Sequence, residues 1–156
     1  MEKATFAAGC FWGVEETFRQ LPGVFKTMVG YTGGQLDHPT YEQVCGSQTG
    51  HAEALQITYD PGAVSFTELL EVFFRCHDPT QLNRQGPDMG PQYRSAIFFH
   101  SPLQEADART LVHALEQAHR FPLPIVTQIL PAATFWPAEA YHQKYLHKRG
   151  GGSCGI

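Results

Sequence analysis

The sequence lacks the features that would assign it to several large classes of protein. No apolar run approaches the length of a membrane span, and no leader with a basic start and an apolar centre precedes the first predicted strand. The formal net charge is only −4, so no excess of positive charge favours nucleic acid or anionic membranes as partners. We therefore expect a cytoplasmic protein that binds neither nucleic acid nor membranes.

Metal-binding and nucleotide-binding motifs are missing as well. The chain has eight histidines but no C-x-x-C pair and no H-E-x-x-H, so no metal site is predicted. The paired glycines at 33–34 lack the Lys-Ser/Thr ending and the following helix of a phosphate-binding loop, and no cofactor is predicted. The four cysteines could form two disulfides, but without an export signal they are better interpreted as reduced thiols with a catalytic or redox role.

The chain of 156 residues is long enough to bury a core, and we predict a single domain over residues 1–156. Apolar runs bounded by turn residues predict strands at 4–8, 24–31, 53–60, 93–100 and 124–130. Helical periodicity predicts helices at 14–20, 65–76, 101–119 and 137–146. Ser65 and Glu68 have the spacing of a capping box at the start of the second helix.

The order of these elements is β-α-β-β-α-β followed by α-β-α. The first six elements match a split βαβ arrangement, so we predict an α+β fold with a ferredoxin-like core (βαββαβ) and helices on one face of its sheet. An additional helix and strand, a terminal helix and two long loops at 32–50 and 78–92 complete the domain. Residues 149–156 are predicted to form a flexible, Gly-rich C-terminal tail.

Cys10 lies at a predicted corner between the strand at 4–8 and the helix at 14–20. Free backbone N–H groups and the positive end of the helix dipole favour the thiolate there, and the thiolate is the nucleophilic form of cysteine. Phe11 and Trp12 add a flat apolar wall beside the sulfur. The alternative is a buried structural thiol, because free cysteine is among the most buried residue types.

Cys154 lies in a tail that reads Gly-Gly-Gly-Ser-Cys-Gly at 150–155, which is too rich in glycine to hold one conformation. A fixed nucleophile and a thiol on a flexible tail suggest an enzyme that makes and breaks a disulfide. The alternatives are an inert thiol or one that pairs between molecules. We interpret Cys76, at a helix end, and Cys45, in the first long loop, as packed structural thiols, with a second redox thiol as the alternative for Cys45.

The long loops also gather polar side chains, and loops on a rigid scaffold are where binding and catalytic groups concentrate. These side chains include Tyr41, Asp88 and Tyr93. Glu53 opens a strand, and by the two-residue period its side chain shares a face with Leu55. Burial would raise the pKa of this carboxyl and make it a proton donor at neutral pH, whereas a frayed strand end would leave it in water. The sequence leaves both alternatives open.

Seven segments occur in an order that resembles a known family. They are GCFWG at 9–13, GYTGG at 30–34, PTYEQVC at 39–45, GHAE at 50–53, HDPT at 77–80, DMGPQYRS at 88–95, and PAE with YHQ at 137–143. Together they resemble the peptide methionine sulfoxide reductases of the A type, over residues 5–145. Members of this class reduce methionine sulfoxide and thereby repair oxidised proteins.

The resemblance implies a role for each polar residue of the predicted pocket. It makes Cys10 the nucleophile that attacks the sulfoxide sulfur, and Glu53 the acid that protonates the sulfoxide oxygen. It implies that Tyr41 and Tyr93 hydrogen-bond that oxygen and that Asp88 completes the polar side. Sulfoxide is a poor electrophile until its oxygen accepts a proton, which agrees with a thiolate beside a neutral carboxyl.

The resemblance also implies the remaining steps and partners. Phe11 and Trp12 would hold the ε-methyl group of the substrate, which is the S epimer of free or protein-bound methionine sulfoxide. Cys154 resembles the resolving cysteine of the family, which would form a disulfide with Cys10 in one step and be reduced by thioredoxin or a similar dithiol. We expect a monomer.

Two positions depart from the common pattern of the family. Ala140 stands where an acidic residue often precedes Tyr141, and Trp136 stands where tyrosine is frequent. Neither change affects the implied nucleophile or proton donor. They concern the rim of the substrate pocket and the docking of the tail.

Three other functions compete with this interpretation. A cysteine hydrolase would pair Cys10 with His51 or His142, but papain-like enzymes have tryptophan directly after the nucleophile, and here Phe11 intervenes. Such an enzyme would also leave Cys154 without a role. A non-enzymatic peptide-binding module would grip apolar side chains in an aromatic groove, and its binding would survive Cys10→Ser. A thiol-based metal or redox-sensing module would retain zinc on purification.

Overall fold

A six-stranded mixed sheet lies at the centre of the structure, a computed structural model that describes residues 1–150. Its strands are β1 (Glu2–Ala8), β2 (Val24–Thr32), β3 (Ala52–Tyr59), β6 (Ser95–Phe99), β7 (Gln128–Pro131) and β8 (Trp136–Pro137). A separate hairpin consists of β4 (Arg84–Gln85) and β5 (Asp88–Met89). The helices are α1 (Phe11–Arg19), α2 (Tyr41–Cys45), α3 (Phe66–Arg75), α4 (Pro102–Gln117) and α5 (Tyr145–Lys148), with 3₁₀ turns at Pro91–Tyr93 and Ala140–His142.

The strand order across the sheet is β7-β6-β1-β3-β2-β8. The central strands pair antiparallel, with Phe6 of β1 opposite Ile97 on one side and Leu55 on the other, whereas β7 joins β6 in parallel. Residues Ala4 and Phe6 belong to the large apolar cluster that also contains residues of α1, α3 and α4, whereas Ala7 belongs to a smaller cluster. The predicted α+β class is confirmed.

Aromatic rings fill the core between this sheet and the helices. The ring of Phe6 stacks on Phe18 of α1 at 5.4 Å and on Phe66 and Phe73 of α3 at 5.9 and 5.1 Å between ring centres. Helix α3 starts at the predicted capping box, in which the Ser65 hydroxyl accepts a hydrogen bond from the backbone N–H of Glu68 and the Glu68 carboxylate accepts one from Ser65. Strand β1 and helix α1, which flank Cys10, are therefore packed against α3.

The first long loop contains a helix that the sequence interpretation missed. Thr40 and Gln43 form a second capping box, and it starts the short helix α2. The predicted loop at 32–50 is therefore shorter and better ordered than expected, and α2 places Tyr41 at its first position.

The predicted terminal helix over 137–146 is wrong. The chain forms β8, a 3₁₀ turn and then α5, and Lys144 adopts a left-handed conformation with φ of 53°. The side chain of Gln143 bonds to both backbone groups of Val29 on β2, at 2.9 and 2.8 Å. The backbone N–H of Lys144 donates to the carboxylate of Glu15 in α1 at 2.6 Å, so it is not available to a helical ladder at the point where the helix breaks.

The predicted strand at 124–130 also begins later, at Gln128, since Val126 donates its N–H to Pro79 outside the sheet. Among the helices at residues 1–150, none combines the length and the apolar character that crossing a membrane requires. Most of the predicted tail, including Cys154, lies outside the described residues.

Candidate active site

Cys10 lies at the corner between β1 and α1, where the sequence predicted it. It is the N-cap residue of α1, and its side chain is half-buried. Gly9 makes the corner possible with a φ of 94°, and a side chain at this position would lie within 2.9 Å of Gln85. The helix begins at Phe11, earlier than predicted, so the thiol stands directly at the end of the helix where backbone N–H groups stabilise negative charge.

Glu53 is almost fully buried, with 1 % of its surface exposed, which decides between the two alternatives that the sequence left open. Its Oε1 atom accepts a hydrogen bond from the backbone N–H of Phe11 at 3.2 Å. The carboxyl is thus bonded to the residue that directly follows Cys10. Burial raises its pKa to about 8, the bond from Phe11 opposes this rise, and the negative charge of Asp88 adds to it. Glu53 is therefore a protonated acid at neutral pH.

Two tyrosine hydroxyls lie within electrostatic reach of this carboxyl. Tyr41 begins α2, and Tyr93 ends the 3₁₀ turn that follows β5. Burial raises the pKa of both hydroxyls, and a charge on Glu53 would raise each further. For Tyr93 the charges of Asp88 and Cys10 act in the same direction. Both hydroxyls keep their protons and can donate hydrogen bonds, and that of Tyr41 is hydrogen-bonded to the Cys45 side chain.

A buried imidazole holds the loop between β2 and α2 against the start of β3. The Nδ1 atom of His51 accepts the N–H of Gly34 at 3.0 Å, and its Nε2 atom lies 2.6 Å from the carbonyl oxygen of Leu36. A side chain at Gly34 would approach the His51 backbone nitrogen to 2.3 Å, so only glycine fits. This contact fixes the backbone immediately before Glu53.

A buried guanidinium, whose role the sequence interpretation missed, holds the second loop. Arg94 donates to the carbonyl oxygens of Gly50 at 3.1 Å and Pro91 at 2.9 Å, and to the side chain of Gln128 at 2.9 Å. It therefore joins the starts of β3 and β7 to the 3₁₀ turn that carries Tyr93. The only sequence signal was a charge directly before an apolar strand.

The apolar side of the site is an aromatic cluster around Phe11 and Trp12. Phe11 is buried, and its ring centre lies 5.7 Å from Tyr31. Trp12 donates its indole N–H to Nδ1 of His142 at 2.9 Å and stacks on Tyr145 at 4.0 Å with an interplanar angle of 12°. Sequence reasoning assigned no role in the site to Tyr145, because the predicted terminal helix gave no reason to place it on Trp12.

Glu139 joins this terminal segment to the polar side of the site. One carboxylate oxygen accepts the Tyr31 hydroxyl at 2.8 Å and the other accepts the backbone N–H of Tyr41 at 2.9 Å. These bonds hold the first turn of α2, and with it the Tyr41 side chain, next to the aromatic cluster.

The two remaining described cysteines differ in their surroundings. Cys76 is buried at the end of α3, as predicted, with its sulfur 3.5 Å from the Phe73 carbonyl oxygen. Cys45 is exposed, so its interpretation as a packed thiol is wrong. It is the last residue of α2, where Val44 takes the buried position instead.

A cysteine hydrolase would need a hydrogen-bonded pair of the Cys10 thiol with the imidazole of His51 or His142, and neither histidine forms it. The two ring nitrogens of His51 contact Gly34 and Leu36. The Nδ1 atom of His142 accepts from Trp12, and within the described part of the chain its Nε2 atom has no hydrogen-bond partner. Neither His51 nor His142 is therefore hydrogen-bonded to the Cys10 thiol, so the structure does not support the hydrolase alternative.

Comparison with known proteins agrees with this geometry. The family model for peptide methionine sulfoxide reductase matches residues 2–156. The peptide methionine sulfoxide reductase MsrA of Geobacter sulfurreducens is 62% identical over 154 residues, covering 99% of this chain and 95% of the relative. The crystal structure of Mxr1 from Saccharomyces cerevisiae in reduced form superimposes with a TM-score of 0.90 at 38% identity, covering 98% of this chain and 88% of that chain.

Mxr1 has also been solved in complex with Trx2, and that structure superimposes with a TM-score of 0.65 at 27% identity, over 92% of this chain and 84% of that chain. The site combines a thiol at the start of a helix with a buried, protonated carboxyl. Together with these relatives, it identifies the protein as an oxidoreductase. The chain belongs to the peptide methionine sulfoxide reductase family, and its near-full-length relatives are of the MsrA type.

Proposed function

We propose that this protein reduces the S epimer of methionine sulfoxide, free or protein-bound, by attack of the Cys10 thiolate on the sulfoxide sulfur. The observation that carries the mechanism is the position of Glu53. Its buried carboxyl bonds to the N–H of Phe11, immediately after the nucleophile. The Cys10 thiolate can thus attack the sulfur of the sulfoxide while the neutral acid of Glu53 protonates its oxygen.

Glu53 donates its proton to the sulfoxide oxygen as the sulfur–sulfur contact forms. With a pKa of about 8, roughly 90 % of the molecules carry this proton at pH 7. The hydroxyls of Tyr41 and Tyr93 donate hydrogen bonds to the same oxygen, and Asp88 completes the polar side. These donors stabilise the charge that develops on oxygen in the transition state.

Phe11 and Trp12 hold the methyl group at the apolar end of the substrate. An apolar wall alone discriminates weakly between groups of similar size, whereas the polar groups directed at oxygen discriminate against the thioether product, which has none. Stereochemical preference follows from the two sides together, because exchanging methyl and oxygen would place oxygen against the rings.

The hydroxyl group then passes from the substrate sulfur to the Cys10 sulfur, and the sulfur–sulfur bond breaks with its electron pair on the substrate. The substrate leaves as methionine, and Cys10 is left as a sulfenic acid. We propose that the Cys154 thiol displaces this oxygen as water and forms a Cys10–Cys154 disulfide. A dithiol such as thioredoxin then reduces the disulfide, and the complex of Mxr1 with Trx2 supports this partner for the family. The glycine-rich sequence before Cys154 supplies the reach that the step requires.

Single-turnover reduction of both epimers of a methionine sulfoxide peptide tests this function. Without added reductant, we expect one equivalent of methionine from the S epimer, little from the R epimer, and a new Cys10–Cys154 bond in the mass map. Absence of methionine from both epimers, with folded protein and reduced thiols at the start, would refute the proposal. A matched Cys10→Ser variant should give no methionine.

We further propose that residues 1–156 form one domain with a ferredoxin-like core, and that the protein is a monomer. The antiparallel order β6-β1-β3-β2 and the single large apolar cluster beneath α1 and α3 support the core. Light scattering during size-exclusion chromatography should give a mass close to 17.4 kDa, and twice that mass would contradict the monomer.

A further inference from the structure

Gln92 has a buried amide that the proposed mechanism does not use. The residue is 4 % exposed and lies in the 3₁₀ turn Pro91–Tyr93, directly before Tyr93. A buried amide is costly unless its donor and acceptor groups find partners. Gln92 finds partners outside its own loop, on the segment that follows Tyr41. Its side chain therefore joins the two loops that bring tyrosines to the site.

Both hydrogen bonds of this amide reach the end of helix α2. The Oε1 atom of Gln92 accepts a hydrogen bond from the hydroxyl of Ser47 at 2.7 Å, and its Nε2 atom donates one to the carbonyl oxygen of Cys45 at 3.5 Å. Ser47 has a left-handed conformation with φ of 63°, which is unfavourable for a residue other than glycine. The bond from its hydroxyl offsets part of this cost. The shorter bond, to Ser47, is the stronger of the two links.

The backbone of Gly90 holds the amide from the other side. Gly90 has a φ of 132°, and a side chain at this position would lie within 2.9 Å of the Cδ atom of Gln92. The amide therefore folds back over its own turn, in space that only a glycine leaves open. Because it packs on this turn and bonds to the end of α2, it fixes the position of one loop relative to the other.

The connection through Gln92 extends to both tyrosines of the site. The Tyr41 hydroxyl is hydrogen-bonded to the side chain of Cys45, and the carbonyl oxygen of Cys45 accepts the bond from Gln92. Tyr93 is the next residue after Gln92, and its hydroxyl also lies within electrostatic reach of Cys45. One amide thus connects the two residues whose hydroxyls are proposed to bind the sulfoxide oxygen.

We propose that Gln92 is a positioning residue that holds together the loops of Tyr41 and Tyr93, and thereby fixes the spacing of their hydroxyls around the sulfoxide oxygen. This inference rests on the proposed function, since it requires that both hydroxyls bind that oxygen. Hydrogen bonds to the oxygen strengthen as negative charge develops on it, so a displaced hydroxyl costs more in the transition state than in the bound substrate.

Two substitutions remove the link from its two ends. Gln92→Leu replaces the amide by an apolar side chain of similar size, and Ser47→Ala removes the donor of the shorter bond. In single-turnover reduction of the S epimer, we expect Gln92→Leu to lower the rate constant at saturating substrate about tenfold, with the half-saturating concentration changed less than about twofold. Ser47→Ala should lower the same rate constant about threefold, and it provides the test if Gln92→Leu does not fold. Wild-type rates in the folded variants would overturn the inference.

A background that lacks both hydroxyls provides the matched control. In the combined variant Tyr41→Phe and Tyr93→Phe, no hydroxyl remains to be displaced, so adding Gln92→Leu should lower the rate constant less than about twofold. An equal loss in this background and in the wild type would overturn the inference, because Gln92 would then act through Glu53, through Cys10 or through the fold as a whole.

Amide hydrogen exchange tests the link between the loops without activity. The N–H groups of Gly46 and Ser47 bond to carbonyl oxygens of α2, at the end of the helix that Gln92 holds. By NMR, we expect these two amides to exchange at least about threefold faster in Gln92→Leu than in wild type, with the amides of α3 unchanged. Unchanged exchange at Gly46 and Ser47 would refute the link even if the protein reduces the S epimer. A wild-type protein that reduces neither epimer would instead refute the proposed function.

Discussion

Glu53 makes the rate of sulfoxide reduction depend on pH in a way that the structure specifies. The protonated carboxyl is the active form, and burial raises its pKa to about 8. The single-turnover rate constant should therefore be constant near pH 7, fall to half at about pH 8 and then fall tenfold for each further pH unit, provided that Glu53 is the acid.

Two variants give the magnitude. General acid catalysis contributes on the order of 10²- to 10⁴-fold, so Glu53→Ala should lose about that much rate. Glu53→Gln is neutral and keeps an N–H donor, so it should retain part of the rate, and neither variant should show the decline above pH 8. Stopped-flow or quench-flow mixing with the S-epimer peptide measures these rates. Wild-type rates in both variants would refute the protonation role of Glu53.

The same group changes the stability of the fold, which provides a test that is independent of activity. Between pH 4.5, the ordinary pKa, and about pH 8, the folded state keeps a proton that the unfolded state has lost, so stability falls as the pH rises through this window. The cost at pH 7 is about 3 kcal/mol. In urea unfolding, the free energy of unfolding of Glu53→Gln relative to that of wild type should therefore increase by this amount as the pH rises from 4.5 to 7.

A control variant tests whether the change in the pH profile of the rate is specific to Glu53 or follows from the loss of any buried carboxylate. Glu16 is also buried, but it is paired with Arg19 at 2.7 Å, and its pKa is lowered by that bond. Glu16→Gln should leave the pH profile of the rate unchanged. A decline above pH 8 that is the same in wild type and Glu53→Gln would assign it to a group other than Glu53.

Three further outcomes follow from individual residues. Cys154→Ser should produce about one equivalent of methionine and accumulate sulfenic acid at Cys10 by mass spectrometry, and sustained thioredoxin-driven turnover would assign resolution to another thiol. His77 is buried with a pKa lowered to about 4, so the fold should lose about 3 kcal/mol as the pH falls from 6.5 to 4. Urea unfolding of His77→Asn should lack this loss, and an equal loss would contradict it. Phe6→Ala should cost about 3–5 kcal/mol in the same assay, since the ring stacks on three others, and a cost below 1 kcal/mol would contradict the packing.

Local patterns in the sequence predicted the parts of the site that local chemistry determines. The corner at Cys10 follows from a strand, a glycine and a helix in succession, and the face of Glu53 follows from the two-residue period of a strand. The sequence could not decide whether Glu53 was buried, because burial depends on packing between distant elements. The bond from the Phe11 N–H of α1 and the charge effect of Asp88 on the pKa of Glu53 likewise come from other elements.

The surroundings of Trp12 could not be predicted for the same reason. Two of the contacts that hold the terminal segment near Trp12 are the bonds of Gln143 to β2 and the bond from the backbone N–H of Lys144 to Glu15 of α1 at 2.6 Å. Both contacts join residues more than a hundred positions apart, and no local period indicates them. The helix α2, by contrast, was available from the capping box at Thr40 and was overlooked.

The bonds between Gln143 and Val29 affect how the edge of the sheet at β2 can pair with other chains. Strand β2 pairs with only two residues of β8, and an open strand edge is a template for pairing with extended segments of other proteins. The amide of Gln143 bonds to both backbone groups of Val29, as a neighbouring strand would, and covers the edge at the residue next to β8. Extended segments of other chains therefore cannot pair with β2 at Val29 unless they displace Gln143.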